Sequence, residues 1–242
     1  MTRRALLILC AGLLAGCSFR NIGCGMPKSA ETTAGGEAAV GTGQAAAGDP
    51  RAFKIAILGD SLTAGLGLLS EQAYPALIQK LFDAEGYDEV EIINGGISGD
   101  TTAGGLRRVE GLLEPGVRVL VVALGGNDAL RGLTTRETHD NLAKIIEVGR
   151  AKRVQILLCG MEAPTNLGED YRANFRDLFI QLVRENSGAI NFVPFLLEGV
   201  AANPALNQPD GIHPNVDGMK IIANALYPRL RTIVDSLSGG GG

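Results

Sequence analysis

The 242-residue chain has no tryptophan, two histidines and four cysteines, and only 5% of its residues are aromatic. Proteins that bind nucleic acids use a basic surface or aromatic platforms on which bases stack. This chain has a net charge of −4 and no long run of Lys or Arg, so a nucleic-acid function is excluded. It also lacks CxxC, HExxH, GxGxxG and GxxxxGK[ST] motifs, and the sequence therefore predicts no metal ion and no cofactor.

The N-terminus carries a predicted secretion signal. Two arginines precede ten apolar residues, 5–14, a run too short to span a membrane but typical of a secretory signal. The run ends in Leu14–Cys17 (LAGC), which resembles a bacterial lipobox, where cleavage precedes the cysteine and its sulfur receives a diacylglyceryl group. Because of this resemblance, we expect residues 1–16 to be removed and Cys17 to anchor the protein to a bacterial membrane, on the periplasmic side. The alternative is an ordinary secretory signal that is cleaved nearby.

A Gly- and Ala-rich segment, 17–50, follows the predicted signal. After Cys17 it contains seven Gly and seven Ala, and it has no aromatic residue beyond Phe19. Such a composition buries too little surface to fold, so we predict a flexible tether with a reach of about 30 Å. Ser18 is not the Asp that retains many lipoproteins in the inner membrane, which favours the outer membrane. The glycine run 239–242 is interpreted as a tail.

The segment 51–238 alternates short apolar runs with longer amphipathic stretches. The unbroken apolar run 119–124 indicates a strand buried on both faces, as in a parallel sheet. Alternation of strands and helices with short links predicts a three-layer α/β/α sandwich. Strands are predicted at 55–58, 90–93, 119–124, 154–159 and 190–193, and helices at 75–85, 171–186, 219–237 and after a capping box formed by Thr134 and Glu137.

Four polar, Gly-rich segments mark one edge of the predicted sheet. Three of them follow predicted strands, and the fourth precedes the last predicted helix. In parallel α/β sheets, ligand chemistry lies at the carboxyl ends of the strands, so we expect these segments to meet there. They are 59–62 (GDSL), 94–100 (NGGISGD), 124–128 (LGGND) and 209–214 (PDGIHP).

Ser61 and His213 are the candidate nucleophile and general base. The unperturbed pKa of histidine lies near neutrality, and Asp210 is placed to accept from Nδ1–H and leave Nε2 to take a proton. Each residue has an ordinary alternative, since Ser61 is also a favoured helix N-cap and Asp-x-x-His is also a capped turn. His139, the other histidine, is expected on the solvated face of a helix.

Gly99 and Asn127 are the candidate donors to an oxyanion. Gly99 has no Cβ that would block the approach of its N–H, and Asn127 offers a side-chain amide. A role in a turn is the alternative for both residues. The segment around Ser61 is not GxSxG, because residue 63 is Thr, so the usual α/β-hydrolase elbow is excluded.

Together, the four segments resemble the SGNH hydrolase family, also called GDSL-type esterases. Ser61, Gly99, Asn127 and His213 match the family's blocks in order, and the similarity covers about 54–237. The resemblance is closest to the bacterial branch of multifunctional esterases, thioesterases and lysophospholipases. It implies a five-stranded parallel sheet of flavodoxin-like strand order and a serine hydrolase without a metal. The segments that resemble this branch are 97–101, 124–132 and 210–215.

The resemblance implies hydrolysis of carboxylic esters or thioesters, including those of lysophospholipids, through an acyl-Ser61 intermediate. His213 would deprotonate Ser61, Asp210 would orient His213, and Ser61 N–H, Gly99 N–H and Asn127 would hold the oxyanion. The chain is expected to be a monomer. Two alternatives stay open: an O-acetylesterase acting on carbohydrate or cell wall, and a non-catalytic binding module.

Two aspartates near these residues are expected to be structural. Asp60 is predicted to accept hydrogen bonds from N–H groups of its own loop, a common role of Asp in turns. Asp128, which belongs to the family pattern, is predicted to bond loop amides. Neither receives a role in proton transfer.

Overall fold

The computed structural model describes residues 53–239, and the predicted signal peptide, Cys17 and tether lie outside them. The described residues form a five-stranded parallel sheet in the order β2-β1-β3-β4-β5. This is the flavodoxin-like order, so the predicted fold class is confirmed. The strands are β1 (Phe53–Gly59), β2 (Val90–Gly96), β3 (Val117–Ala123), β4 (Gln155–Cys159) and β5 (Ile190–Val193).

Helices cover the two faces of this sheet. α2 packs against α7, while α5 packs against both α3 and α6, which gives the two outer layers of the sandwich. The helices are α1 (Ser61–Ala64), α2 (Tyr74–Ala84), α3 (Thr102–Leu112), α4 (Gly126–Leu130), α5 (Thr135–Ala151), α6 (Glu169–Glu185) and α7 (Val216–Ser238).

The two central strands supply the core. All residues from Val119 to Leu124 are fully buried, as the unbroken apolar run predicts, although β3 itself ends at Ala123. In β1, Ile55, Ala56, Ile57 and Leu58 are equally buried. Apolar side chains on both faces of one strand require a helical layer on each side.

The strand ends lie level with one another. Gly59 at the end of β1 pairs with Gly96 of β2 on one side and with Ala123 of β3 on the other. The loops that follow these three strands therefore leave the sheet at the same height. This register brings the Gly-rich segments together.

Two local predictions have different outcomes. The capping box is confirmed, because Thr134 Oγ1 accepts from the N–H of Glu137 at 3.2 Å and the Glu137 carboxylate accepts from the N–H of Thr134 at 3.2 Å. Helix α3 is not predicted, because Gly104 and Gly105 interrupt its apolar pattern. A Cβ at Gly105 would lie 2.3 Å from the end of the Leu124 side chain, so a larger residue here would force the buried Leu124 to move.

Candidate active site

A groove of about 490 Å³ opens at the carboxyl edge of the sheet. Its lining includes Ser61 directly after β1, Gly99 after β2, Asn127 in α4 after β3, and His213 in the loop before α7. Four residues that are separated by up to 152 positions in sequence therefore face one cavity, as the four segments predict.

Ser61, His213 and Asp210 form a hydrogen-bonded series. Ser61 Oγ lies 2.9 Å from His213 Nε2, and His213 Nδ1 lies 2.7 Å from Asp210 Oδ2. The other carboxylate oxygen of Asp210 accepts from the backbone N–H groups of Ile212 at 2.9 Å and His213 at 3.0 Å. A carboxylate on Nδ1 favours the tautomer in which that nitrogen is protonated, so that Nε2 accepts from the Ser61 hydroxyl.

Hydrogen bonds keep Asp210 charged. The backbone N–H of His213, followed by that of Ile212 and the His213 side chain, lowers the pKa of Asp210 from 3.8 to about 2. The carboxylate is 44% exposed, so burial opposes this effect only weakly. Asp210 is therefore an anion over the whole range in which a histidine titrates.

The loop that carries Asp210 and His213 is fixed at both ends. Asn207 and Pro214 form an isolated antiparallel bridge, and the N–H of Gln208 donates to the carbonyl of His213 at 2.7 Å. Asn215 caps α7 by accepting from the first N–H groups of that helix. Between these anchors, Gly211 has φ +71°, a conformation that L side chains rarely adopt.

Asp60, not Ser61, caps the helix that follows β1. Asp60 Oδ1 accepts from the N–H of Leu62 at 3.0 Å, and Ser61 is the first residue of α1. The alternative role of Ser61 as a helix N-cap is therefore wrong, and its hydroxyl bonds His213 instead. A Cβ at Gly59 would lie 1.9 Å from Thr63 Oγ1, so glycine is required where this short helix turns back on the strand.

Asp60 also contacts the candidate oxyanion donor. Asn127 Nδ2 donates to Asp60 Oδ2 at 3.2 Å, a contact that the sequence analysis missed because the two residues are 67 positions apart. A primary amide has two N–H groups, and this bond uses one of them. Asp60 is only 2% exposed, and burial raises its pKa from 3.8 to about 6.

Gly99 has a backbone that favours glycine. Its φ is +80°, and an added Cβ would meet only Arg131 Nη2, at 3.8 Å. The positive φ, and not a lack of space for a Cβ, therefore explains why residue 99 is glycine. Arg131 Nη2 donates to the Gly99 carbonyl at 2.7 Å and thereby holds the loop.

Asp128 and Arg108 hold the loops that carry the candidate site residues through hydrogen bonds. Asp128 is fully buried and accepts from the N–H of Thr102 at 2.9 Å and from the hydroxyls of Thr102 and Thr138, which confirms its structural role. Arg108 donates to the carbonyls of Gly95 at 2.6 Å and Gly59 at 2.9 Å, and also to the carboxylate of Asp100. No sequence signal distinguishes Arg108 from other helix arginines.

The groove walls are mostly apolar. The loops 64–72 and 163–170 contribute Leu66, Ala163, Pro164 and Thr165. A third wall, absent from the sequence predictions, follows β5 at the same edge of the sheet. The placement of ligand chemistry at the carboxyl ends of strands applies to this loop as well. This wall contributes Phe195, Leu197, Ala201 and Ala202.

Two reactive residue types lie away from the groove. The side chain of His139 on α5 is 16% exposed, and its Nε2 lies 3.0 Å from Glu185 of α6. It therefore links two helices at the surface, half-buried between the exposed carboxylates of Asp140 and Glu185, and has no part in the groove. Cys159 ends β4 fully buried, and burial raises the pKa of its thiol to about 12, so it is no nucleophile.

Residues 53–239 show two further absences. No group of three or more His, Cys, Asp or Glu side chains in this part of the chain is arranged to hold a metal ion. None of its helices is both long and apolar enough to cross a membrane.

The fold is a parallel α/β/α sandwich, and Ser61, His213 and Asp210 are hydrogen-bonded in series at the carboxyl edge of its sheet. This combination defines a serine hydrolase. Residues 57–221 match the model of the GDSL-like Lipase/Acylhydrolase family. The chain therefore belongs to this family, also called SGNH, and is a hydrolase of carboxylic ester or thioester bonds.

Similar proteins agree with this family. The chain is 38% identical over 181 residues to "Esterase TesA" of Pseudomonas aeruginosa, which covers 74% of this chain and 89% of that protein. It is 35% identical over 182 residues to "Thioesterase 1/protease 1/lysophospholipase L1" of Escherichia coli K12, covering 75% and 85%. The solved structure "Crystal Structure of TesA" aligns with a TM-score of 0.70 and 37% identity over 74% of this chain and 98% of that one.

Proposed function

We propose that the enzyme cleaves its substrate through an acyl intermediate on Ser61. The observation that supports this is the series of short contacts from Ser61 Oγ to His213 Nε2 and from His213 Nδ1 to Asp210. A nucleophile, a base and a group that orients the base are what acyl transfer to a hydroxyl requires.

The reaction then has two balanced halves. Ser61 Oγ attacks the carbonyl carbon while His213 Nε2 takes its proton, and His213 returns that proton to the leaving alcohol or thiol. Water attacks the acyl-Ser61 ester, giving a proton to His213, which passes it to Ser61 as the carboxylic acid leaves. Asp210 stays ionised and stabilises the imidazolium in both halves.

Three donors would hold the oxyanion: the N–H of Ser61, the N–H of Gly99 and the second N–H of Asn127. The N–H of Ser61 is at the start of α1, where no intrahelical acceptor exists. Asp60 acts as a positioning residue, because its bond to Asn127 Nδ2 fixes the plane of that amide.

The substrate that the groove fits best is an ester or thioester of an apolar acyl chain. Leu66, Leu130, Met161, Phe195 and Leu197 line the cavity that contains Ser61. An apolar wall favours a hydrocarbon chain over a sugar hydroxyl, which a wall of this kind leaves without hydrogen bonds. A lysophospholipid presents such a chain, and the name of the Escherichia coli relative includes that activity.

The cell-envelope location is a separate part of the proposal. Cys17 carries lipid after removal of residues 1–16, and 17–50 tether the domain to a membrane on its periplasmic side, the outer membrane in particular. Several acyl chains are needed for stable attachment, because one chain alone binds a bilayer only marginally. Mass spectrometry of the mature protein should find the lipid on Cys17, and an unmodified Cys17 thiol would contradict the lipid anchor.

A fluorophosphonate probe tests the chemistry. The wild-type enzyme should take one adduct, mapped to Ser61 by mass spectrometry, and Ser61→Ala should take none. A substrate panel then separates the acyl classes: nitrophenyl esters of increasing chain length, a lysophospholipid, an acyl-CoA and an acetylated sugar. A preference for the acetylated sugar would replace the long-chain substrate, and an unlabelled Ser61 would remove the acyl-enzyme.

A further inference from the structure

Most of the exposed large apolar side chains on residues 53–239 belong to the segments at the carboxyl edge of the sheet, where the groove opens. Seven large apolar side chains of residues 53–239 are at least 36% exposed. Two of them, Ile180 and Ile221, lie singly on α6 and α7. The other five are 45–61% exposed and belong to the segments that follow β1, β2 and β3 or that carry His213. We call these five the apolar rim: Leu66, Leu69, Ile97, Leu130 and Ile212.

The apolar rim extends beyond the wall of the groove. Leu66, Leu130 and Ile212 line the cavity that contains Ser61, whereas Leu69 and Ile97 do not. Leu69 is 61% exposed and Ile97 is 52% exposed. An acyl chain in the groove would leave these two side chains in water. Apolar side chains grouped around a site mark a surface that contacts another apolar phase, whereas single ones need no explanation.

We propose that the apolar rim docks on a phospholipid bilayer, so that the groove opens directly onto the membrane that supplies its acyl substrate. The substrate part of this inference rests on the proposed function of Ser61. The docking part does not, because it concerns a surface and can be measured without hydrolysis.

The chain outside the described residues favours a bilayer as the occupant. Thirty-five residues, 18–52, separate Cys17, the predicted site of lipid attachment, from β1. Because β1 runs toward the groove, Phe53 lies at the end of the sheet opposite the apolar rim. A short spacer would hold that opposite end against the membrane and point the groove away from it.

The length of the spacer removes this constraint. Thirty-five residues span about 120 Å when fully extended and have an r.m.s. end-to-end distance of about 30 Å as a flexible chain, whereas a domain of this size has a radius of gyration of about 16 Å. A spacer of this length would allow the domain to turn the apolar rim toward the surface that holds Cys17.

Charge indicates which bilayer the rim contacts. None of its five side chains is charged, and the mature chain without residues 1–16 has 20 basic and 26 acidic residues, a net charge of −6. Binding should therefore depend on apolar burial and not on attraction to anionic lipids. Neutral vesicles should bind at least as well as anionic ones, and salt should not release the protein.

The test uses the mature chain with Cys17→Ser, so that docking is measured without the lipid anchor, in sedimentation with phosphatidylcholine vesicles. The double variant Leu69→Ser/Ile97→Ser changes only rim residues outside the groove, and Ile180→Ser/Ile221→Ser is the matched control. We expect the rim variant to bind vesicles about 10-fold more weakly or worse, and the control to bind as the parent does. Hydrolysis of lysophospholipid embedded in the vesicles should fall in parallel.

Two further measurements separate this inference from the proposed function. Ser61→Ala should bind vesicles as tightly as the parent, and the rim variant should hydrolyse a short soluble nitrophenyl ester at the parent rate. The docking inference is overturned by equal vesicle binding of the rim and control variants, or by no vesicle binding of the parent. Binding that requires anionic lipid and is released by salt, or a dimer that the rim variant abolishes, would overturn it as well.

Discussion

Each half of the candidate site contains one aspartate, and the two aspartates lie in opposite environments. The nucleophile half, after β1 and β3, contains Asp60 and Ser61, which are 2% and 8% exposed. The base half, in the loop before α7, contains Asp210, whose side chain is 44% exposed. Burial raises the pKa of Asp60 to about 6, whereas backbone N–H groups lower the pKa of Asp210 to about 2.

The difference shows how one residue type serves two purposes. Asp210 needs a permanent charge to stabilise an imidazolium, and hydrogen bonds near solvent provide it at little cost. Asp60 needs a fixed position between α1 and Asn127, and the fold achieves this by burying it, which penalises its charged form. We infer that hydrogen bonds fix the charge of Asp210 in the base half, whereas burial fixes the position of Asp60 in the nucleophile half.

The largest expected effect is on kcat and comes from removing either the nucleophile Ser61 or the base His213. Ser61→Ala and His213→Ala should each lower kcat on the order of 10⁴–10⁶-fold, because nucleophile and base act in the same step. The double variant should be hardly slower than either single variant. Turnover of all three should be compared on one soluble nitrophenyl ester.

Thermal unfolding provides the control for these variants. Each should keep a melting temperature close to that of the wild type, since neither side chain is part of the apolar core. If the two single effects multiplied in the double variant, Ser61 and His213 would be acting independently, and the proposed unit would be wrong.

The next effect tests the nucleophile half alone. Asn127→Ala should lower kcat by ~100–1,000-fold and change KM little, because an oxyanion forms only after the ground state. Steady-state kinetics on the same ester measure both constants. If Asn127 only bonds Asp60, its loss should instead lower the free energy of unfolding by ~1 kcal/mol and leave kcat near normal.

The sequence predicted the parts of the site that depend on short segments. Ser61, Gly99, Asn127, Asp210 and His213 were candidates because each lies in a polar, Gly-rich segment beside a predicted strand or helix. The resemblance of these segments to the SGNH family then favoured a catalytic role over an ordinary turn or cap. The distances among them follow from the parallel strand order, which was also predicted.

Contacts between distant segments were not predictable in the same way. The Asp60–Asn127 bond and the three bonds of Arg108 join loops whose separation depends on strand register, which no local pattern records. Helix α3 was missed for a related reason, because Gly105 lies in close contact with Leu124, and helix propensity, which disfavours glycine, does not record this contact.

A smaller expected effect is on the pH dependence of the free energy of unfolding, which distinguishes Asp60 from Asp210. The folded-state pKa of Asp60, about 6, is above its usual 3.8, so its contribution to stability is largest below pH 3.8 and is lost as pH rises through about 6. The difference corresponds to at most ~3 kcal/mol. Asp60→Asn should therefore remove a stability gain that the wild type shows when the pH is lowered from 7.5 to 4.5.

Urea unfolding of both proteins across this pH window measures the difference. Contributions of other carboxylates, including Asp210, occur in both proteins and cancel in the comparison. Asp60→Asn should also lower turnover at pH 7.5, because a neutral amide accepts a weaker hydrogen bond from Asn127. Parallel stability curves for the two proteins would show that Asp60 keeps an ordinary pKa despite its burial.

The smallest effect tests whether backbone geometry sets the base half. Gly211 and Gly188 have φ values of +71° and +74°, and an added Cβ would meet no atom within 4 Å at either position. Alanine at each should cost about 1 kcal/mol of unfolding free energy from the same backbone strain. Only Gly211→Ala should also lower kcat, by ~10–100-fold, because relaxation of that strain moves Asp210 and His213 relative to Ser61. Equal kcat for the two variants would mean that the anchors at Asn207 and Asn215, and not Gly211, hold the base in place.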